Sequence, residues 1–256
     1  AGACADAFVS GSGVVLVLQA MRTHASSELL LESGIALLRG AGLQRPDSHA
    51  EFVELQGIEF LVDAMRKHAH LPRLQMYASA LLHDIACESE ENRIKAGAVD
   101  GVEVLLRALR TYPDDVLLLE CGTAALQALA FFSPDNAAAV VEGGGLLLIL
   151  ESMRAHPTAE EVQSQGCLAL RNILRSRGDT EAAASGFGGL PLLLDALRLH
   201  PGSQAVQEFG MSVLQLWMRE QAQRAATLGA LPLIVAALRG HRRAERVATA
   251  ACRWLR

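Results

Sequence analysis

The stretch LDALRLHP, Leu194 to Pro201, decides how this chain folds, because the chain says nearly the same thing twice more. LESMRAHP runs from Leu150 to Pro157, and LRALRTYP from Leu106 to Pro113. Each phrase sets apolar residues at helical spacing, then an arginine, a ring and a proline. The residue before a proline is pushed out of the α region, so the phrase reads as the end of a helix. An arginine in a last turn sits where a cation complements unpaired carbonyls.

Working outward, the arginine recurs at Arg22, Arg66, Arg110, Arg154, Arg198 and Arg239, at four intervals of 44 residues and one of 41. Two places later stand His24, His68, Tyr112, His156, His200 and His241. Glycine keeps the same step at Gly13, Gly57, Gly101, Gly145 and Gly189. A small residue recurs at Gly34, Ala78, Gly122, Gly166, Gly210 and Ala251, and a leucine at Leu38, Leu82, Leu126, Leu170, Leu214 and Leu255. Several independent columns sharing one period identify a repeat protein.

Each repeat reads as three helical pieces. The first resembles NRIKAGAVDG (Asn92–Gly101) and is expected to end on its glycine in a left-handed cap. The second resembles VEVLLRALRTY (Val102–Tyr112). The third resembles AEEVQSQGCLALRNIL (Ala159–Leu174), with Glu160 and Glu161 as first-turn charges and a small residue where a neighbouring helix approaches. A triplet this small cannot cover its own apolar faces, so neighbours stack and share a core. The expected fold is all-α, a right-handed α-solenoid of five full repeats and a partial sixth, forming one domain over 1–256. The repeats fall at about 4–47, 48–91, 92–135, 136–179, 180–221 and 222–256.

Composition agrees with such a core. Apolar residues make up 51% and aromatics only 4%, so leucine, alanine and valine must fill it. The net charge of -5 argues against a nucleic-acid partner, which calls for a basic footprint. Charge is uneven, however. Residues 219–256 hold eight arginines against two glutamates, a local +6, which leaves -11 on residues 1–218. The five cysteines are far apart and form no CxxC, so free buried thiols and a cytoplasmic location are expected. No apolar run approaches the roughly 18 residues of a membrane span.

The helix triplet, clearest in GGGLLLILESMRAHPTAEEVQSQGCLALRNIL (Gly143–Leu174), resembles the armadillo repeat, in a long-period form. The resemblance covers essentially the whole chain. It implies a superhelix whose third helices line a concave groove that binds partners. Members that grip extended peptides carry a tryptophan and, four residues on, an asparagine in that helix. Here the asparagine column reads Gly40, Asp84, Ala128, Asn172 and Leu216, and the tryptophan column reads Ala36, Ala80, Ala124, Leu168 and Ser212. Only Asn172 survives. Trp217 stands one place further on, with Ile85, Leu129 and Ile173, in a core column. A helical or folded partner is therefore expected over an extended strand. The groove candidates are His83, Asp84, Glu120, Gln127, Arg171, Asn172, Arg175, Glu208, Gln215 and Arg219. Their arginines are suited to carboxylates.

No cofactor, metal or catalytic set is expected. Equivalent histidines on stacked helices lie about 8–10 Å apart, whereas zinc needs its nitrogens about 2.0–2.1 Å from one ion. The glycine groups GSG, GGG and GFGG lack a following Lys-Ser/Thr, and no GxSxG or HExxH occurs. The leading expectation is a non-enzymatic protein-interaction scaffold or adaptor. Residue 1 is not Met, and the last repeat stops within its third helix at CRWLR. Two alternatives follow. One is a regulatory repeat domain cut from a larger signalling enzyme, a kinase or GTPase. The other is an organelle-surface adaptor whose lipid anchor lies on a missing segment. Self-association through open ends is also expected.

Overall fold

The computed structural model describes residues 12–42, 46–176 and 187–254, with the side chains of 41–42, 46–47, 218–222 and 254 left aside. The chain divides into two compact units, Ala1–Leu129 and Ala130–Arg256. Among the described residues all regular structure is helical. In the first unit α1 spans Gly13–Thr23, α2 Glu28–Leu37, α3 Pro46–Glu54, α4 Gly57–Lys67, α5 Pro72–Glu88, α6 Glu90–Ala98 and α7 Gly101–Thr111. A π turn, Leu38–Gly42, extends α2. α8, Val116–Ala130, closes this unit. The second unit holds α9 (Pro134–Glu142), α10 (Gly145–Ala155), α11 (Glu160–Ser176), α12 (Gly189–Leu199), α13 (Gln204–Thr227), α14 (Ala230–Gly240) and α15 (Glu245–Trp254).

Each second helix buries one apolar stripe. On α7 the buried residues Val102, Leu105, Leu106 and Leu109 recur at three- and four-residue steps. The third helices cross it closely through their small residues. A Cβ added to Gly122 would meet Leu109 at 2.6 Å, and one on Gly166 would meet Met153 at 2.6 Å. Ile85, Leu129, Ile173 and Trp217 are all buried, as a core column requires.

Three expectations need correction. The column glycines do not adopt the left-handed conformation; the residue before each does. Gln56 and Asp100 have φ of 55° and 65°, and Gly144, Gly188 and Gly229 have φ of 73°, 76° and 86°. The column glycines instead admit the preceding helix: a Cβ on Gly101 would lie 2.5 Å from the Ala96 carbonyl oxygen. Secondly, the expected boundary at 221/222 falls inside α13, a single helix of 24 residues. The shortened last interval removed the turn between a third and a first helix, and the two fused. Thirdly, of the four described cysteines, all free, only Cys167 is buried; Cys87 and Cys252 are exposed and Cys121 is intermediate. Cys4 lies outside the described residues.

The repeated phrase proves to be a two-way staple. Its arginine reaches forward to the left-handed turn of the following triplet. Arg22 donates to the Leu55 and Gln56 carbonyls, Arg66 to Val99 O and, at 3.0 Å, to the Asp100 carboxylate. Arg154 donates to Phe187 O at 3.2 Å and Arg198 to Leu228 O at 2.6 Å. The ring reaches back to the turn of the preceding triplet. His68 Nε2 lies 3.0 Å from Ala25 O, Tyr112 Oη donates to Ala69 O at 2.9 Å, and His200 and His241 meet Pro157 O and Pro201 O at 2.7 and 2.9 Å. A carbonyl can only accept, so each of these histidines carries its proton on Nε2. The carbonyls served belong to neighbouring triplets, where the sequence alone pointed to the arginine's own helix.

The proline of the phrase creates a second need. It has no N–H, so Pro157 and Pro201 leave the carbonyls of Met153 and Leu197, four residues earlier, without a helical donor. Buried glutamines of the third helices supply one. Gln163 donates to Met153 O at 2.7 Å and His156 O at 2.9 Å; Gln207 donates to Leu197 O at 2.9 Å and His200 O at 3.0 Å.

No single helix among the described residues is long and apolar enough to cross a membrane. The pair α9–α10 passes on length and composition only across a 68° bend.

Candidate functional site

In the second unit α11, α13 and α15 pack side by side, α11 on α13 and α13 on α15. Third helices that succeed one another this way present polar residues from each on one face. Arg171 leaves α11 half-buried, donates through Nε and Nη2 to Asn172 Oδ1 at 3.3 and 3.2 Å, and lies 5.0 Å over the Phe209 ring of α13. Arg246 of α15 pairs with Glu208 of α13 at 3.7 Å. Burial lowers the Arg171 pKa, and the nearby charges of Arg175 and Arg246 lower it further against the pull of Glu208. The face is therefore net cationic, with desolvated guanidinium character that strengthens recognition of a carboxylate. Around the α14–α15 turn Arg239, Arg242, Arg243 and Arg246 gather with His241.

The expected groove residues divide. Arg171, Arg175, Glu208 and Gln215 are at least partly accessible on this unit. Asn172 and Gln127 are buried, 4% and 8% exposed, and so are not part of a solvated face. As polar amides within third helices, they could not be told from groove residues by the sequence pattern alone. The Arg219 side chain lies outside those described.

In the first unit His83, Asp84 and Glu120 are half-buried. His83 Nδ1 lies 3.0 Å from Asp84 Oδ1, Cys87 Sγ lies 3.6 Å from His83 Nε2, and Arg39 approaches Asp84 at 3.6 Å. The hydrogen bond to Asp84, then that to Cys87, raises the His83 pKa to about 9 against the lowering effect of burial. The ring is a cation at neutral pH and so is no general base there. Arg39 and Cys87 escaped the sequence reading, since neither belongs to a repeated column.

The sign of the pH effect is fixed. His83 titrates higher folded than its ordinary 6.5, so its stabilising contribution is complete below pH 6.5 and is lost as pH climbs through about 9. Imidazole resonances of His83 followed by NMR are expected to titrate near pH 9. In His83→Gln the decline of urea stability between pH 6.5 and 9 should flatten; an NMR midpoint near 6.5 would show the contacts to be absent.

No group of three or more metal-ligating side chains converges among the described residues. No family model matches the chain, and no curated protein matches it by sequence. Solved structures do match. Two engineered proteins from a structural genomics consortium are 20% identical, with TM-scores of 0.78 and 0.80, covering 95% and 94% of this chain and 95% and 96% of theirs. A designed armadillo repeat protein is 18% identical at a TM-score of 0.74, covering 90% of this chain and 93% of that one. The fold is armadillo-like. Another designed armadillo repeat protein, in complex with the peptide (KR)4, is 18% identical at a TM-score of 0.73, covering 94% of this chain and 97% of its own. These likenesses concern the helical-repeat architecture.

Proposed function

We propose that this chain is a non-enzymatic scaffold, a long-period armadillo-like repeat array running through residues 1–256, that binds a protein partner through the polar face of its third helices. One observation carries the reading: α11, α13 and α15 place Arg171, Glu208 and Arg246 on a single net-cationic face. A designed repeat protein of similar fold is in complex with the basic peptide (KR)4; the face formed here by Arg171, Arg175 and Arg246 is itself basic, which calls for an acidic partner. The near-absence of the tryptophan–asparagine ladder favours a helical or folded segment over an extended one. Free thiols at all four described cysteines support a reducing, cytoplasmic setting.

The test is affinity capture from cell extract with the wild-type chain beside a triple variant, Arg171→Glu, Arg175→Glu and Arg246→Glu. The expected result is a saturable acidic partner held by the wild type and lost from the variant. A partner retained equally by both would overturn the assignment to this face.

A further inference from the structure

Third helices α5 and α11 each run for 17 residues, whereas α8 has only 15. The last two helical places, filled by Cys87 and Glu88 in α5 and by Arg175 and Ser176 in α11, fall outside α8 as Phe131 and Phe132. Phe132 takes φ of 49°, a left-handed conformation that suits glycine and strains a bulky residue. The two rings meet edge to face, centroids 4.5 Å apart, and are 40% and 66% exposed in a chain with only seven phenylalanines. Strained backbone that presents scarce aromatics to solvent is a physical pointer to a binding role.

These rings, with Pro134, Asn172, Arg175 and Ser176, line a cavity of about 260 Å³. That is below the ~300–1,000 Å³ typical of small-molecule sites and suits one side chain. Arg175 lies 5.9 Å over the Phe132 ring. Among the described residues no carboxylate pairs with it. Arg171 and Arg246 add positive charge nearby, and Glu208 is already engaged by Arg246. The concavity is largely apolar, and among the described residues its lining carries no anion.

We propose that the Phe131–Phe132 turn, Pro134 and Arg175 form an anchor pocket that takes one apolar side chain of an acidic protein segment, whose neighbouring carboxylate is held by Arg175. This rests on the scaffold reading and adds to it where the partner docks and what it must carry. Aromatics ringed by arginine are typical of the few residues that dominate a protein interface, and the charge selects against basic partners. Stacking of nucleobases on such rings is the rival use.

The test is fluorescence anisotropy of the full chain with a fluorescein-labelled hexapeptide, a Leu-Phe pair flanked by two glutamates on each side. Saturable binding is expected, weakened about tenfold by Phe132→Gly. Because glycine relaxes the left-handed turn, this variant should melt no earlier than the wild type, so lost binding cannot be blamed on unfolding. Arg175→Gln should weaken binding and flatten its salt dependence, as should replacing the glutamates with glutamines. No saturable binding, equal binding by Phe132→Gly, or tighter binding of an oligouridine would overturn the pocket. A Phe132→Gly chain that still captures the cellular partner lost by the arginine triple variant would refute the anchor and leave the scaffold standing.

Discussion

Replacing Trp217 with alanine is expected to destabilise the second unit by about 3–5 kcal/mol, the cost of a large buried aromatic and the cavity it leaves. The side chain is 1% exposed and is the largest of the fully buried side chains among the described residues. It stands in the column that elsewhere holds Ile85, Leu129 and Ile173, so the space it fills is shared by neighbouring helices rather than open to solvent. Its Nε1 donor has no partner among the described residues, and an unpaired buried donor is itself a cost. Trp217→Phe should therefore be markedly milder, since it removes the donor along with only part of the volume. Urea unfolding followed by far-UV circular dichroism would separate the two. Equal losses for Phe and Ala would mean that shape, not volume, is being read at this position.

The second large effect is expected at Gln163, which is 1% exposed. Gln163→Leu keeps the volume and removes the side chain that donates to Met153 O, a carbonyl Pro157 cannot serve, leaving it buried and unpaired. The expected loss is about 1–3 kcal/mol. His156 O loses less, because it still accepts from Ala159 N at 3.2 Å. Gln207→Leu should cost a similar amount for the same reason at Pro201. The chain contains a natural counterpart: the equivalent place in α8 is Leu119, fully buried. Wild-type stability in Gln163→Leu by urea titration would show that the glutamine's two bonds are exchanged for water without cost.

The helices and their order were legible because leucine spacing, proline stops and mid-helix glycines act locally. The phrase ending in Arg198 and His200 marked a helix end correctly from sequence. Its purpose was hidden, since Arg198 serves Leu228 O and His200 serves Pro157 O, 30 and 43 residues away. Periodicity tells which residues are equivalent and is silent on which neighbour each one touches. The glycine column misled for a related reason: a left-handed turn and a close approach both call for glycine, and Asp100 and Gly101 divide those two tasks. The glutamine column is visible as Gln75, Gln163 and Gln207, but proline does not predict it: Gln75 serves Met65 O although Ala69 stands at the proline's place, and Leu119 follows Pro113. Arg171 and Glu208 stood out in the sequence because they are charged residues on third helices, and both are partly accessible. Phe131 and Phe132 were not, because aromatic residues beside a helix end read as core until the helix is seen to stop at Ala130.

Within each unit the fold is an array of like triplets, the arginine and ring of the repeated phrase tying one triplet to the next. In-frame excision of residues 48–91, one whole period of the sequence, tests it most directly. The shortened chain is expected to keep the helical circular-dichroism signal per residue and to melt in a cooperative transition, while excision of half a period collapses both. A whole-period excision that abolishes helix and cooperative melting would contradict the account.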